Sequence, residues 1–159
     1  MKFLYIKKAA VIFTAACMAA SFSISVYAEE TTDESDENTF TDEVLTYKKV
    51  DGGVYITDCD DNVSSVNISK EVDGYAVIGV ETNAFAECEK LKEVILPDSV
   101  KYMGESVFTG CTGLKKVKIP DGITEIPKQT FALCVELEEI EIPQSVTTIG
   151  EYAFSYCND

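Results

Sequence analysis

The chain reads as an α/β repeat solenoid. Short coils would stack with a parallel sheet on one face and short helical or 3₁₀ returns on the other, under an N-terminal β-hairpin cap. Three observations lead there. Phe85, Phe108, Phe131 and Phe154 lie 23 residues apart, and Cys88, Cys111, Cys134 and Cys157 keep the same step. Leu91, Leu114 and Leu137 repeat with them, as do Pro97, Pro120 and Pro143. Before each proline, apolar and polar residues alternate. A period in the twenties marks coils that cannot bury their apolar faces alone and must stack.

Taken in order, residues 1–28 have the make-up of a signal peptide. Lys2, Lys7 and Lys8 form a basic start, residues 9–24 are apolar, and Val26-Tyr27-Ala28 is an A-x-A-like cleavage site. The apolar stretch is too short and too rich in small residues for a membrane span, which takes about 20 predominantly apolar residues. Secretion, or display at the cell surface, is the expectation. A minor alternative is lipid anchoring at Cys17, but Thr14 stands where an aliphatic residue belongs and the chain stays apolar after the cysteine. Residues 29–43, EETTDESDENTFTDE, carry eight acids and read as a disordered linker, because such a segment cannot offset its ordering entropy by burial.

Residues 44–75 read as the cap and a degenerate first repeat. Leu45-Thr46-Tyr47 and Val54-Tyr55-Ile56-Thr57 flank Asp51-Gly52-Gly53, a hairpin turn. Ile68 then takes the place of Leu96, and Val80 returns to register with Met103 after five extra residues around Asp73-Gly74-Tyr75. Residues 76–159 hold the regular repeats. In each, a short strand turns Val94 and Leu96, Val117 and Ile119, or Ile140 and Ile142 inward, and the proline ends it. Val100, Met103, Val107 and Cys111 follow at three- and four-residue steps, which predicts the helical or 3₁₀ return. The last coil halts at Cys157-Asn158-Asp159 without its strand, as a piece of a longer protein would.

Composition excludes several activities. The chain has 13 cationic residues, 28 acids and no histidine, and none of the cations is arginine. Cleavage after Ala28 would remove three lysines and no acid, leaving ten cations against 28 acids, a net charge of −18. Such a surface repels a phosphate backbone, so no nucleic-acid partner is expected. Without histidine there is no imidazole base, no Ser-His or Cys-His pair and no His-containing zinc site, and no enzymatic activity is expected.

These residues resemble the BspA-type leucine-rich repeats, a bacterial surface subclass. The match rests on Ile149-Gly150, Ala153-Phe154 and Cys157, with Leu137, Ile140 and Ile142-Pro143 one coil earlier, and on the entry run from Val72 to Gly79. It covers about residues 45–159. Two departures stand out: Ser99, Gly122 and Ser145 lie near where other leucine-rich repeats carry an asparagine, and Pro127 stands where Gly104 and Gly150 do. The resemblance implies an exported protein that binds proteins, other cells or matrix. It brings no catalytic residue and no cofactor.

Two sets of side chains are candidates for a role. The four in-register cysteines point in parallel rather than at one another, so they read as a buried thiol ladder beside the four phenylalanines, ahead of disulfides or a metal site. The outward strand residues Glu93, Ile95, Lys116, Lys118, Glu139 and Glu141 form the candidate binding face. Left to themselves they would make a salt ladder, Lys116 with Glu139 and Lys118 with Glu141, each pair contributing about 0.2–1 kcal/mol. Asp58, Asp60 and Asn62 alternate as in a calcium loop, but Val63 and Ser69 stand where the loop needs glycine and glutamate; a turn accounts for them. The alternative to a binding module is a non-catalytic spacer or targeting segment of a longer secreted protein, including one with a downstream enzyme domain.

Overall fold

The computed structural model describes residues 37–157. The signal segment and the linker up to residue 36 lie outside the described residues. The fold opens with an antiparallel meander of β1 (Thr39–Thr41), β2 (Leu45–Val50) and β3 (Gly53–Cys59). β4 (Ser65–Asn67) follows, then the hairpin of β5 (Glu71–Val72) and β6 (Tyr75–Val80). Each coil after that supplies two short strands. These are β7 (Glu93–Ile95) and β8 (Tyr102–Met103), β9 (Lys116–Lys118) and β10 (Glu125–Ile126), and β11 (Glu139–Glu141) and β12 (Thr148–Ile149).

β1 falls inside the stretch 29–43 whose acidic composition predicts a disordered linker. Thr39–Thr41 pairs with Thr46–Lys48, and Phe40 stacks on Tyr47 with ring centroids 5.3 Å apart. A single aromatic gives this end of the acidic stretch something to bury. The hairpin forms at the expected turn, with Gly52 at φ 86°. β3 joins β6 in parallel, so the cap extends the sheet that contains β6. Gly53 is where they come close, since a Cβ there would run into the Ala76 carbonyl oxygen.

The coil register follows the period. The strand-face sheet runs β11-β9-β7-β4, all parallel, with Val66, Val94, Val117 and Ile140 in one inward row. Val66 opposite Val94 puts Ile68 level with Leu96, and Val80 pairs with Met103 as the spacing requires. Val94, Leu96, Val117 and Ile119 are buried, but Ile142 of the last coil is 43% exposed.

The returns are not helical, and the α/β assignment is corrected to an all-β coil: among the described residues no helix forms. Two positions per coil adopt left-handed backbone, Asn83 and Glu87, Ser106 and Gly110, Gln129 and Leu133, Tyr152 and Tyr156, with φ between 55° and 74°. Left-handed residues break a right-handed helix. Alternate amides then point along the stack. Phe85 N–H donates to the Val107 carbonyl, Phe108 N–H to that of Thr130 and Phe131 N–H to that of Ala153, at 2.8–3.0 Å. The intervening amides bond locally, as Ala86 does to Asn83. From Asn83 to Cys88 the amides thus alternate between a carbonyl of the next coil and one within the turn. Val100, Met103, Val107 and Cys111 are all buried, so the three- and four-residue spacing located the inward residues while mistaking the conformation that brings them there.

Pro127 breaks one ladder. Gly104 and Gly150 each donate their N–H across the stack, to Val80 and Ile126 at 2.8 Å. Proline has no N–H to give. β8 therefore pairs with β6 and β10 with β12, but β8 and β10 do not pair.

Candidate interaction face

The inward rows fix the outward ones. Phe85, Phe108, Phe131 and Phe154 stack ring on ring at centroid distances of 5.2, 5.4 and 5.3 Å, and the first three are fully buried. Beside them Cys111, Cys134 and Cys157 donate their thiols to the carbonyls of Phe85, Phe108 and Phe131 in the preceding coil, at 2.9–3.1 Å. Cys88 tops the row, its Sγ 3.8 Å from Asp61 Oδ1. All five described cysteines are free thiols. Burial pushes Cys134 up to about 12 and Cys111 still higher. Cys59 is raised by its hydrogen bond with Cys88 first and by burial second. Protonated thiols donating to carbonyls are poor nucleophiles and poor metal ligands, so this row is structural.

With those rows turned in, the strand alternation turns the six candidate residues out. Glu93, Lys116 and Glu139 lie side by side in one row, and Ile95, Lys118 and Glu141 in the next. Ser65 and Asn67 of β4 extend the two rows by one strand. The six line a shallow depression of about 210 Å³ floored by Val94 and Val117.

The salt ladder takes different partners from those the register suggests. Lys115 reaches Glu138 at 3.2 Å and Glu136 at 3.7 Å, and Lys118 reaches Asp98 at 3.7 Å. Lys115 is held above its ordinary range chiefly by Glu138. Neither Lys116–Glu139 nor Lys118–Glu141 closes to an ion pair among the described residues. Strand neighbours about 4.8 Å apart point long side chains in parallel, and Lys115 and Lys118 turn instead to acids outside those two rows. The consequence is a face whose central charge, Lys116, is uncommitted.

Asp58 lies within β3 opposite Thr46, whereas Asp60 and Asn62 serve the turn that follows. Asp60 Oδ1 accepts the Asn62 N–H at 2.9 Å, and Lys90 Nζ donates to Asn62 Oδ1 at 2.8 Å. Among the described residues no group of three or more acids and cysteines could hold a metal ion. No described helix is long and apolar enough to cross a membrane.

One feature had no signal in the sequence. A cleft of about 410 Å³ lies between residues 42–47 and residues 65–72, beside the free edge of β4. It arises because the cap lengthens the other sheet, a pairing that residue spacing does not reveal.

A stack of parallel coils with buried phenyl and thiol rows and a charged strand face defines a leucine-rich-repeat solenoid. The BspA type leucine rich repeat region matches residues 57–159 in six copies, and the chain belongs to that family. Solved structures agree. The T. pallidum leucine-rich repeat protein is 34% identical with a TM-score of 0.65, over 70% of this chain and 53% of that one. A leucine-rich repeat protein from Bacteroides ovatus is 30% identical with a TM-score of 0.68, over 74% and 33%. A leucine rich cell surface protein from Faecalibacterium prausnitzii is 30% identical with a TM-score of 0.68, over 75% and 31%. The chain thus spans about half the length of the first and about a third of the others. No curated protein matches it.

Proposed function

We propose that the protein is an exported, non-catalytic interaction module that binds a protein, cell-surface or matrix ligand through its strand face. The observation that carries this reading is the pair of outward rows, Glu93-Lys116-Glu139 and Ile95-Lys118-Glu141, across one depression on a sheet braced from behind. Such a face gives a partner alternating charge with little conformational entropy to lose, and Ile95, 36% exposed, adds an apolar contact. Export to the cell surface rests on the signal-like residues 1–28, and one structural relative is described as a cell surface protein.

The test is binding of the full chain to panels of host matrix proteins, cell surfaces and glycans. Capture of at least one class is expected, and reversing Lys116 and Lys118 to glutamate should weaken it at least tenfold while circular dichroism shows the chain still folded. Absence of binding across the panels, or binding indifferent to that reversal, would sink the strand-face reading. The spacer or targeting role in a longer secreted protein would then take its place.

A further inference from the structure

The cap protects one sheet and leaves the other open. β1, β2 and β3 prolong the sheet that contains β6, whereas β4 stands at the end of the β11-β9-β7-β4 sheet with no strand beyond it among the described residues. Within β4 the direction of each peptide group is set by its pairing. Ser64 C=O accepts from Lys92 N–H, and Ile68 N–H donates to Ile95 C=O, so the even-numbered residues face β7. The N–H and C=O groups of Ser65 and Asn67 therefore point the other way. Among the described residues no backbone group meets them. They look into the 410 Å³ cleft, whose far wall is the chain from Asp42 to Tyr47. Its floor is apolar, with Leu45 and Ile68 buried beneath it.

The rim has one sign of charge. Asp42, Glu43 and Glu71 line the cleft and no lysine does. Asp42 is fixed in place, its carboxylate accepting the N–H groups of Val44 and Leu45 at 2.8 and 2.7 Å and the Tyr47 hydroxyl at 2.8 Å. Glu43 and Glu71 are exposed.

From this we infer that the β4 edge is a docking site for an extended, lysine- or arginine-bearing peptide segment. The peptide would add a strand to the sheet through the peptide groups of Ser65 and Asn67, with its cations against Asp42, Glu43 and Glu71. Main-chain pairing at a sheet edge supplies affinity in this mode, and the flanking chemistry supplies selectivity. The charge decides the occupant. The acidic stretch at residues 29–36 of this same chain would bring like charge, and a second copy would bring the same three acids. This site lies beside the strand face and does not depend on it.

The test uses the full chain and three capped eight-residue peptides: one alternating lysine and valine, its fully N-methylated form, and one alternating glutamate and valine. The lysine–valine peptide should bind and slow amide hydrogen exchange at Ser65 and Asn67. N-methylation keeps charge and apolar surface but removes the donors, and should weaken binding at least fivefold. Asn67→Pro removes an outward N–H while sparing the β4–β7 ladder, and should do the same. The double variant E43Q/E71Q, which leaves the backbone alone, should weaken binding at low salt and lose that effect at high salt. The glutamate–valine peptide should not bind. Four results would each overturn the site: no binding of the lysine–valine peptide, equal binding of the acidic one, a loss below fivefold on N-methylation, or slowed exchange confined to Lys116 and Lys118. The last would assign the attraction to the strand face instead.

Discussion

The return side and the strand side of each coil obey the same 23-residue period but use it differently. On the return side the same residue types recur: phenylalanine on phenylalanine, cysteine on cysteine, each joined to the next coil by a ring contact or a thiol–carbonyl bond. On the outward strand side the types change from coil to coil, from Glu93 and Ile95 to Lys116 and Lys118 to Glu139 and Glu141. Burial explains the contrast. A fully buried row must fill the same volume in every layer, whereas an exposed position contributes little whatever it holds. Stability should therefore reside in the returns and selectivity in the strands.

The contrast is broken most strongly at the middle of the phenyl stack. Phe108→Ala should cost about 3–5 kcal/mol in urea unfolding, since it opens a cavity between two rings. Phe154→Ala should cost clearly less, because that ring is only partly buried. Equal losses would mean that the stack is not what holds the coils together.

The thiol row gives the next effect. The folded chain keeps the Cys111 and Cys134 protons above the ordinary value of 9.0, whereas the unfolded chain loses them there. Stability should be unaffected by these groups below pH 9 and should fall from pH 9 towards 12 by about 1.4 kcal/mol per pH unit for each such thiol. Cys134→Ala should flatten the curve by one such slope, and parallel curves for the two proteins would count against the buried row.

Left-handed backbone supplies a smaller one. Leu133 sits at φ 63° where the preceding coil has Gly110 at 74°, and its side chain is 45% exposed. Leu133→Gly should be neutral or stabilise by up to about 1 kcal/mol, as relief of a left-handed Cβ outweighs the added freedom of the unfolded chain. A loss above that size would show that Leu133 packs against something after all. Smallest of all, K116A/K118A should change stability by less than about 0.5 kcal/mol.

These differences also separate what the sequence could disclose from what it could not. Burial is legible because it repeats: the rows of Phe, Cys and Leu, the inward valines and the match of Val80 with Met103 all follow from spacing. Backbone conformation is less so. A step of three and four residues suits a helix, but it also suits a return with left-handed residues at Ser106 and Gly110 whose amides alternate between local and next-coil partners. Asparagine at 83 tolerates positive φ better than most residues, but nothing in Ser106, Gln129 or Tyr152 announces it. Pro127 did signal a local change, and it is where the β8–β10 pairing is missing. The ion pairs were misassigned because register places Cβ atoms, whereas a lysine ammonium swings several ångströms from its own, as Lys118 does to Asp98.

The returns are held by a ladder between coils and not by helical hydrogen bonds. Residue-resolved amide hydrogen exchange on the full chain tests it directly. Alternation is expected: slow exchange at Phe85, Ser106, Phe108, Gly110 and Phe131, faster exchange at the locally bonded Ala86 and Thr109, and fast exchange at Tyr152, Phe154 and Tyr156, whose N–H groups meet no carbonyl among the described residues. Uniform protection along 105–112, persisting equally through 151–157, would be the signature of helical turns and would contradict it.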